Sequence, residues 1–191
     1  MRVFIAVALP ARVIAAAASA SRQLRDEIAT QAPRARLAWV TPDRMHVTLR
    51  FLGDVETGVA AAVAGILAPP LNTPPFTLTV GSPGVFPARG APRTCWLSIA
   101  TGLDSLRALE AEIAVRLEEL AMPREPRPFT PHVTVARVRD LAGLRGTSWL
   151  QRVSVPADAG GEVDAITLFE SRLSPKGPVY TELQRTPLSR G

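Results

Sequence analysis

The 191-residue chain has little cysteine, histidine or lysine: one Cys, two His, and Lys176 as the single lysine. The lone Cys95 excludes a disulfide framework, so nothing in the composition indicates secretion. No apolar run reaches the roughly 18 residues that a membrane-spanning helix needs. The first ten residues are interrupted by Pro10 too early to form a signal peptide. We therefore expect a cytoplasmic protein with no membrane partner.

Hydrophobic residues make up 47% of the chain and charged residues 20%, which is typical of a folded globular protein and excludes a disordered one. The length fits one domain, or two small lobes that share a core. The net charge of +5 is carried almost entirely by arginine, whose planar guanidinium matches phosphate oxygens. Nucleic acid is therefore a plausible partner, although a GC-rich genome, which favours arginine, explains the excess equally well.

Hydrophobic periodicity predicts strands and helices in mixed order. Strands are predicted at Arg2–Ala8, Leu37–Val40, Met45–Leu52, Phe76–Val80, Thr94–Ala100 and His132–Val138, with two more near Val163–Phe169 and Pro178–Leu183. Helices are predicted at Pro10–Gln31, Glu56–Ala68 and Leu103–Ala121. Proline and glycine predict long loops at Gly81–Arg93 and Pro123–Pro131. Because strands pair both before and after helices, this order favours an α+β fold over a doubly wound parallel sheet.

Both histidines begin the same four-residue pattern, HVTL at His46–Leu49 and HVTV at His132–Val135, 86 residues apart. Side chains alternate faces along a strand, so His and Thr point to one face while the aliphatic residues point into the core. Two such strands side by side would bring two imidazoles and two hydroxyls, those of Thr48 and Thr134, to one place.

Imidazole changes its proton state near neutral pH, so a pair can hold one neutral ring as a base and one charged ring as an acid. That combination suits in-line displacement at phosphorus, with threonine hydroxyls donating to the non-bridging oxygens. Two histidines without a nearby carboxylate cluster fall short of the three protein ligands that a catalytic zinc usually has. We therefore expect neither a metal nor another cofactor. The alternative without function is a pair of buried, structural histidines.

The two motifs and their surroundings resemble the 2H phosphoesterase superfamily, and within it the bacterial and archaeal RNA 2′,3′-cyclic phosphodiesterases, historically called 2′-5′ RNA ligases. The resemblance spans nearly the whole chain and is most specific at RPFTPHVTVAR, Arg127–Arg137. It also includes Phe4–Val7, Trp39–Gly53, Gly84–Pro87 and Leu168–Leu173.

This resemblance implies a single domain over residues 1–191, made of two intertwined, pseudo-symmetric lobes. Each lobe would be an antiparallel sheet with helices on its outer face, and the active-site cleft would lie between the lobes. It also implies metal-independent hydrolysis of a terminal RNA 2′,3′-cyclic phosphate to a 2′-phosphate. In the family's assignment, His46 donates a proton to the departing 3′ oxygen and His132 accepts one from water.

By the same resemblance, Thr48 and Thr134 bind the phosphate, and Arg137 contacts the phosphate or the nucleotide. Arg137 is one residue out of phase with His132, so a bulge or a strand end is needed to aim it at the site. Arg50 lies outside the family pattern but shares the predicted face of the first histidine, which makes it a candidate for a phosphate contact.

Aromatic side chains near the cleft could stack on a base, as recognition of single-stranded RNA usually requires. Phe129 and Phe86 are the candidates, with packing as the alternative for each. Trp39 and Trp96 lie on predicted strands and are expected in the core. For Tyr180 the sequence does not distinguish covering the cleft from simple packing.

Three other activities compete with hydrolysis of an RNA end. The same chemistry run backward would join tRNA halves through a 2′-5′ linkage, and a small cyclic phosphate could replace RNA as the substrate. A module that binds RNA ends without catalysis is the third, although such a module need not keep both titratable rings. The expected partners are RNA 3′ ends or nucleotide cyclic phosphates, and a cleft completed by one chain predicts a monomer.

Overall fold

The computed structural model describes residues 1–144, 146–175 and 177–189. Its strands are β1 (Arg2–Ala8), β2 (Arg36–Trp39), β3 (His46–Asp54), β4 (Phe76–Phe86), β5 (Thr94–Thr101), β6 (His132–Asp140), β7 (Gly161–Val163), β8 (Ala165–Ser174) and β9 (Gly177–Pro187). Its helices are α1 (Ala11–Gln31), α2 (Thr57–Leu67) and α3 (Leu103–Glu118), with short 3-10 turns at Pro42–Arg44 and Ser148–Arg152. Within these described ranges, no helix is both long enough and apolar enough to cross a membrane.

The strands form one sheet in the order β7-β4-β5-β6-β3-β1-β8-β9, with β2 paired to β6, and the ladders between them are antiparallel. The sheet has two halves, β3-β1-β8-β9 and β6-β5-β4-β7, which we call the first and second half-sheets. They meet where Val47 of β3 lies opposite Val133 of β6. The predicted α+β fold with two pseudo-symmetric antiparallel lobes is confirmed.

The long helices cross from one half-sheet to the other. Helix α1 follows β1 of the first half-sheet but packs against β4 and β6 of the second. Helix α3 follows β5 of the second half-sheet but packs against β3 of the first, and α2 contacts α3 and β9. The apolar faces of these helices bury Leu24 and Leu109 with Val47 and Val133 of the central strands in one core. The helices thus cover one face of the sheet at its centre, which leaves the opposite face for a cleft.

The predicted loop at Gly81–Arg93 is wrong over its first half, because β4 continues through Phe86. A proline is tolerated there because β7 pairs only with Phe76–Leu78, so Pro83 lies where this edge of β4 has no partner in the described sheet. The register with β5 also shifts between Val80 and Pro83, as in a bulge. The proline and glycines of this segment therefore mark an irregular strand and not a loop.

The strand predicted near Val163–Phe169 is divided between β7 and β8 at Asp164. Strand β8 then continues to Ser174 and forms a long hairpin with β9, in which Ser171 lies opposite Tyr180. Both tail strands are thus present but longer than the apolar pattern indicates, because the outer parts of the hairpin are exposed and carry little hydrophobic signal.

Candidate active site

The two histidine strands are neighbours at the centre of the sheet. Since Val47 lies opposite Val133 in an antiparallel pair, His46 lies across from Thr134 and His132 lies across from Thr48. The intervening valines are buried in the core, as the alternation along the strands predicts. The two histidines and two threonines, which we call the His–Thr quartet, line one cleft of about 760 Å³. The sequence therefore correctly placed these four side chains on one face.

A backbone carbonyl fixes the orientation of each imidazole. His46 Nδ1 is 2.8 Å from the carbonyl oxygen of Arg44, and His132 Nδ1 is 2.7 Å from that of Thr130. A carbonyl only accepts, so in each ring Nδ1 carries the proton and donates it. His46 Nε2 lies 3.1 Å from Thr48 Oγ1, which donates to it when the ring is neutral. Nε2 is thus the atom of each ring that gains or loses a proton.

Aromatic rings flank both imidazoles. The His46 ring lies 4.9 Å from Phe4 and 5.4 Å, edge-on, from Tyr180, measured between ring centroids. The His132 ring lies 5.1 Å from Phe86 in the same edge-on geometry. These contacts remove water from the imidazoles while Nδ1 keeps its carbonyl partner, so each ring is held rigidly and is partly desolvated.

Burial lowers the pKa of both histidines, because it disfavours the charged ring. The hydrogen bonds to the Arg44 and Thr130 carbonyls oppose that effect, and the positive charge of Arg137 lowers both pKa values further. The pKa of His46 is also lowered by the charge of His132. In the free protein the pKa of each ring therefore lies below the usual value for imidazole, chiefly because of burial.

A bulge turns Arg137 into the cleft. Along β6, Ala136 lies opposite Cys95 whereas Thr134 lies opposite Trp96, so one extra residue, Val135, interrupts the alternation. Arg137 consequently returns to the face of the quartet and lines the cleft. The bulge that the position of Arg137 in the sequence required is therefore present.

The same irregularity occurs in β3 and has the opposite consequence for Arg50. The pairing with β1 shifts between Thr48 and Arg50, so Arg50 turns to the face covered by helices. There its guanidinium donates a hydrogen bond to the Pro123 carbonyl and lies 4.0 Å from the Glu110 carboxylate of α3. The candidate phosphate contact is therefore wrong for Arg50, and Phe51 occupies the cleft face in its place.

The aromatic candidates have different surroundings. Phe129 is half-buried against the core and is not among the described residues that line the cleft. Phe86 stacks on Trp96 at 4.8 Å and lies edge-on to the His132 ring, so it packs against that imidazole, and it is not among the described residues that line the cleft. Trp39 packs on the core, reaches the edge of the cleft and lies under the guanidinium of Arg25. Tyr180 both packs and lines the cleft.

Sequence reasoning missed several residues of the cleft, chiefly Arg2, Arg44, Arg139 and Phe51. Arg139 could have been found, because it lies two positions after Arg137 and shares its face. The described residues that line the cleft include four arginines and no carboxylate, so the cleft suits an anion. In the same described part of the chain, no group of three or more His, Cys, Asp or Glu side chains could hold a metal ion.

Comparisons with known proteins find relatives over most of the chain. The family model described as the 2′-5′ RNA ligase superfamily matches residues 10–174, which contain both histidine motifs. An RNA 2′,3′-cyclic phosphodiesterase of Aeropyrum pernix is 33% identical over 163 residues, covering 84% of this chain and 90% of the relative. A protein of the same name from Thermus thermophilus is 32% identical over 201 residues, covering 98% and 90%.

Solved structures are similar over the full length. A crystal structure of a Thermus thermophilus protein superimposes with a TM-score of 0.73 at 32% identity, covering 100% of this chain and 99% of that one. E. coli LigT complexed with phosphate gives a TM-score of 0.68 at 25% identity, covering 98% and 97%. LigT complexed with 3′-AMP gives 0.66 at 25% identity, covering 98% of both chains.

Proposed function

The chain belongs to the 2′-5′ RNA ligase superfamily, and from this premise we propose that it hydrolyses the 2′,3′-cyclic phosphate at RNA 3′ ends to a 2′-phosphate. The observation that carries the proposal is the convergence of the His–Thr quartet in one cleft rich in arginine. The names of the curated relatives and the phosphate and 3′-AMP complexes of LigT support the substrate class.

The phosphate would lie over the centre of the quartet. From there the hydroxyls of Thr48 and Thr134 donate to the two non-bridging oxygens, one from each strand. Arg137 adds a guanidinium on the same face and offsets the negative charge that builds up at phosphorus. These donors are held by strands of the sheet, so little reorganisation is required when the transition state forms.

The two Nε2 atoms then transfer protons in opposite directions. His132 accepts a proton from water as the water oxygen bonds to phosphorus, and His46 donates a proton to the 3′ oxygen as its bond to phosphorus breaks. The products are a 2′-phosphate and a free 3′-hydroxyl, and exchange with solvent restores both rings. The division of roles follows the family's assignment, and running the reaction backward exchanges them.

The acid role requires a proton on His46, whose pKa is lowered in the free protein chiefly by burial. A bound phosphate brings negative charge beside this ring and offsets the positive charges of Arg137 and His132. Substrate binding therefore favours the protonated form at the moment when it is needed. Without substrate, the ring stays neutral and accepts the hydroxyl of Thr48.

Joining of a 2′,3′-cyclic end to a 5′-hydroxyl end is the second candidate, and the name of the family model favours it. It uses the same phosphate, acid and base, with the 5′ oxygen in place of water, so joining from a cyclic end parallels hydrolysis rather than reversing it. As part of the proposal, we infer a cytoplasmic protein, as its single cysteine favours. We also infer a monomer, because one chain supplies every member of the quartet.

Product analysis by phosphorus NMR on adenosine 2′,3′-cyclic phosphate tests the proposal. We expect a 2′-monophosphate, formed equally well in the presence of a chelator. A 3′-monophosphate would show that the other ester oxygen leaves. If no product forms while RNA ends still bind, the protein is a binding module. Incubation of tRNA halves with cyclic and 5′-hydroxyl ends then tests ligation by the appearance of a 2′-5′ junction.

A further inference from the structure

The cleft holds more positive charge than one cyclic phosphate needs. The described residues that line it carry four guanidinium groups, whereas a cyclic phosphodiester carries a single negative charge. Arg137 is assigned to that phosphate, which leaves Arg2, Arg44 and Arg139 in the same cleft. Because the described lining includes no carboxylate, the surplus of positive charge attracts a further anionic group of the substrate.

Arg139 lies on the same face of β6 as Arg137, two residues further along the strand. Two residues of strand extend about 7 Å, which matches the distance between the phosphates on the 3′ and 5′ sides of one nucleoside. In the described part of the chain neither of these arginines pairs with a carboxylate, whereas Arg116 and Arg172 each do. Both cleft arginines are exposed, so a ligand can reach them.

The antiparallel geometry decides at which end of the quartet Arg139 lies. Because β3 and β6 run in opposite directions from the paired valines, residues after Thr134 lie at the same end as residues before His46. Arg137 and Arg139 therefore lie at the His46 end, and so does Arg44, which precedes His46 by two residues. This end of the cleft thus has arginines on both the β3 and the β6 side.

Arg44 is oriented by its neighbours. A Cβ placed on Gly177, at the start of β9, would come within 2.5 Å of Arg44 Nη1, so the guanidinium lies against the β8–β9 hairpin. Its Nε lies 3.8 Å from the exposed carboxylate of Asp43. Burial raises the pKa of Tyr180, and the charge of Arg44 is among those that oppose this rise, so that charge is felt inside the cleft.

The proposed proton transfers place the terminal ribose at this end. His46 protonates the departing 3′ oxygen, so the ribose that carries this oxygen lies on the His46 side of phosphorus. The 5′ oxygen of the same ribose lies further from the quartet. In a free nucleoside cyclic phosphate that oxygen is a hydroxyl, whereas at an RNA end it carries a phosphate. An arginine about 7 Å beyond Arg137 fits the phosphate.

We propose that Arg139, with Arg44 on the other side of the cleft, is a subsite for the 5′-phosphate of the terminal nucleotide, which joins it to the rest of an RNA chain. This inference rests on the proposed function and narrows its substrate class to cyclic phosphates that also carry a 5′-phosphate. The guanidinium of Arg139 donates to the non-bridging oxygens of this second phosphate, as Arg137 does to the first.

Calorimetry with two product nucleotides tests the subsite without turnover. We compare 2′-AMP with adenosine 2′,5′-bisphosphate, which adds only the 5′-phosphate. A charge-assisted hydrogen bond is worth about 10- to 100-fold in affinity. Since Arg139 is exposed, we expect the lower end, about tenfold tighter binding of the bisphosphate at low ionic strength. Equal affinities would overturn the proposal.

Substitutions locate the preference. Arg139→Gln should remove most of the tenfold ratio, Arg139→Lys should retain part of it because the charge is kept, and Arg44→Gln should lower it by a smaller factor. The matched control is Arg107→Gln, which removes the same charge from an exposed position on α3 and should leave the ratio unchanged. Melting temperatures serve as the folding control for each variant.

The subsite is overturned if Arg139→Gln or Arg44→Gln keeps the full ratio. It is also overturned if Arg107→Gln lowers the ratio as much as Arg139→Gln does, because attraction by the net charge then explains the preference.

Turnover gives a second readout. We expect the 5′-phosphorylated form of adenosine 2′,3′-cyclic phosphate to have a lower KM than the form with a 5′-hydroxyl, and the difference to shrink with added salt. Equal KM values for the two substrates would contradict the subsite. Failure of the proposed function is a separate result, in which the wild-type protein hydrolyses neither compound, whatever the two product affinities are.

Discussion

The two histidine strands are near copies up to the bulge and diverge after it. Each holds its imidazole by a carbonyl two residues earlier, presents a threonine two residues later, and buries the residues between. After the bulge, β3 places Phe51 in the cleft and Arg50 under the helices, whereas β6 places Arg137 in the cleft and Ala136 in the core. The shared half of the pattern serves the phosphate, and the divergent half distinguishes the two ends of the cleft.

We expect the largest loss of activity when the two histidines, which the strands share, are removed. We expect His46→Ala and His132→Ala each to lower kcat on a nucleoside 2′,3′-cyclic phosphate by about 10² to 10⁴, because each removes a proton-transfer group. The double variant should lose little more than the worse single variant, since the two act in one step. Circular dichroism serves as the folding control. Substantial turnover by the double variant would refute paired-histidine catalysis.

Arg137 lies on the cleft face of β6 and Arg50 on the helix face of β3, so we expect the first to affect activity and the second to affect stability. Arg137→Gln should lower kcat/KM by about 10- to 100-fold, because a charged partner of the phosphate is lost. Its charge also lowers the pKa of both histidines, so its removal should move the pH–rate profile to higher pH. Arg107→Gln, an exposed change on α3, is the matched control. An unshifted profile would contradict the electrostatic role.

Arg50 should affect stability instead. Arg50→Ala leaves the Pro123 carbonyl and the Glu110 carboxylate without their buried partner, so we expect a loss of about 1 to 3 kcal/mol in the free energy of unfolding, measured in urea. Arg107→Ala, which breaks an exposed pair with Asp104, should cost at most about 0.5 kcal/mol. Similar losses for the two variants would show that the buried contacts of Arg50 contribute little.

The smallest expected effect is the dependence of stability on pH. The pKa of both histidines is lower in the folded protein than the usual 6.5, so the unfolded chain binds protons first as the pH falls. The contribution is fully present above pH 6.5 and is lost as the pH falls through the folded pKa values. Melting temperatures between pH 7.5 and 5.5 should therefore decline, and less in His46→Gln. An equal decline in both proteins would contradict this origin.

Some of the site was predictable because it depends on local periodicity. The alternation of side chains along a strand sufficed to put His46 with Thr48 and His132 with Thr134 on one face. It failed for Arg50, which was expected beside the histidine, and was silent about Phe51, since both lie after the bulge. The position of Arg137 in the cleft could be predicted, because the family resemblance implied a substrate contact that a straight strand could not make.

Other parts depended on partners far away in the chain. Gly84, in a segment expected to be a loop, lies in β4 because β5 pairs with it, and a Cβ there would come within 2.8 Å of the Trp96 indole. Tyr180 reaches the His46 ring because the β8–β9 hairpin lies beside β1. Neither contact leaves a periodic signal in the residues that make it.

The amino-acid sequence by itself determined the α+β class and the chemistry of the quartet, because residue type and a two-residue period are properties of one strand alone. Only the tertiary structure decided which arginine and which aromatic ring face the cleft. A bulge depends on how a strand pairs with its neighbour, and the pairing of β3 with β1 and of β6 with β5 is set by contacts between distant segments.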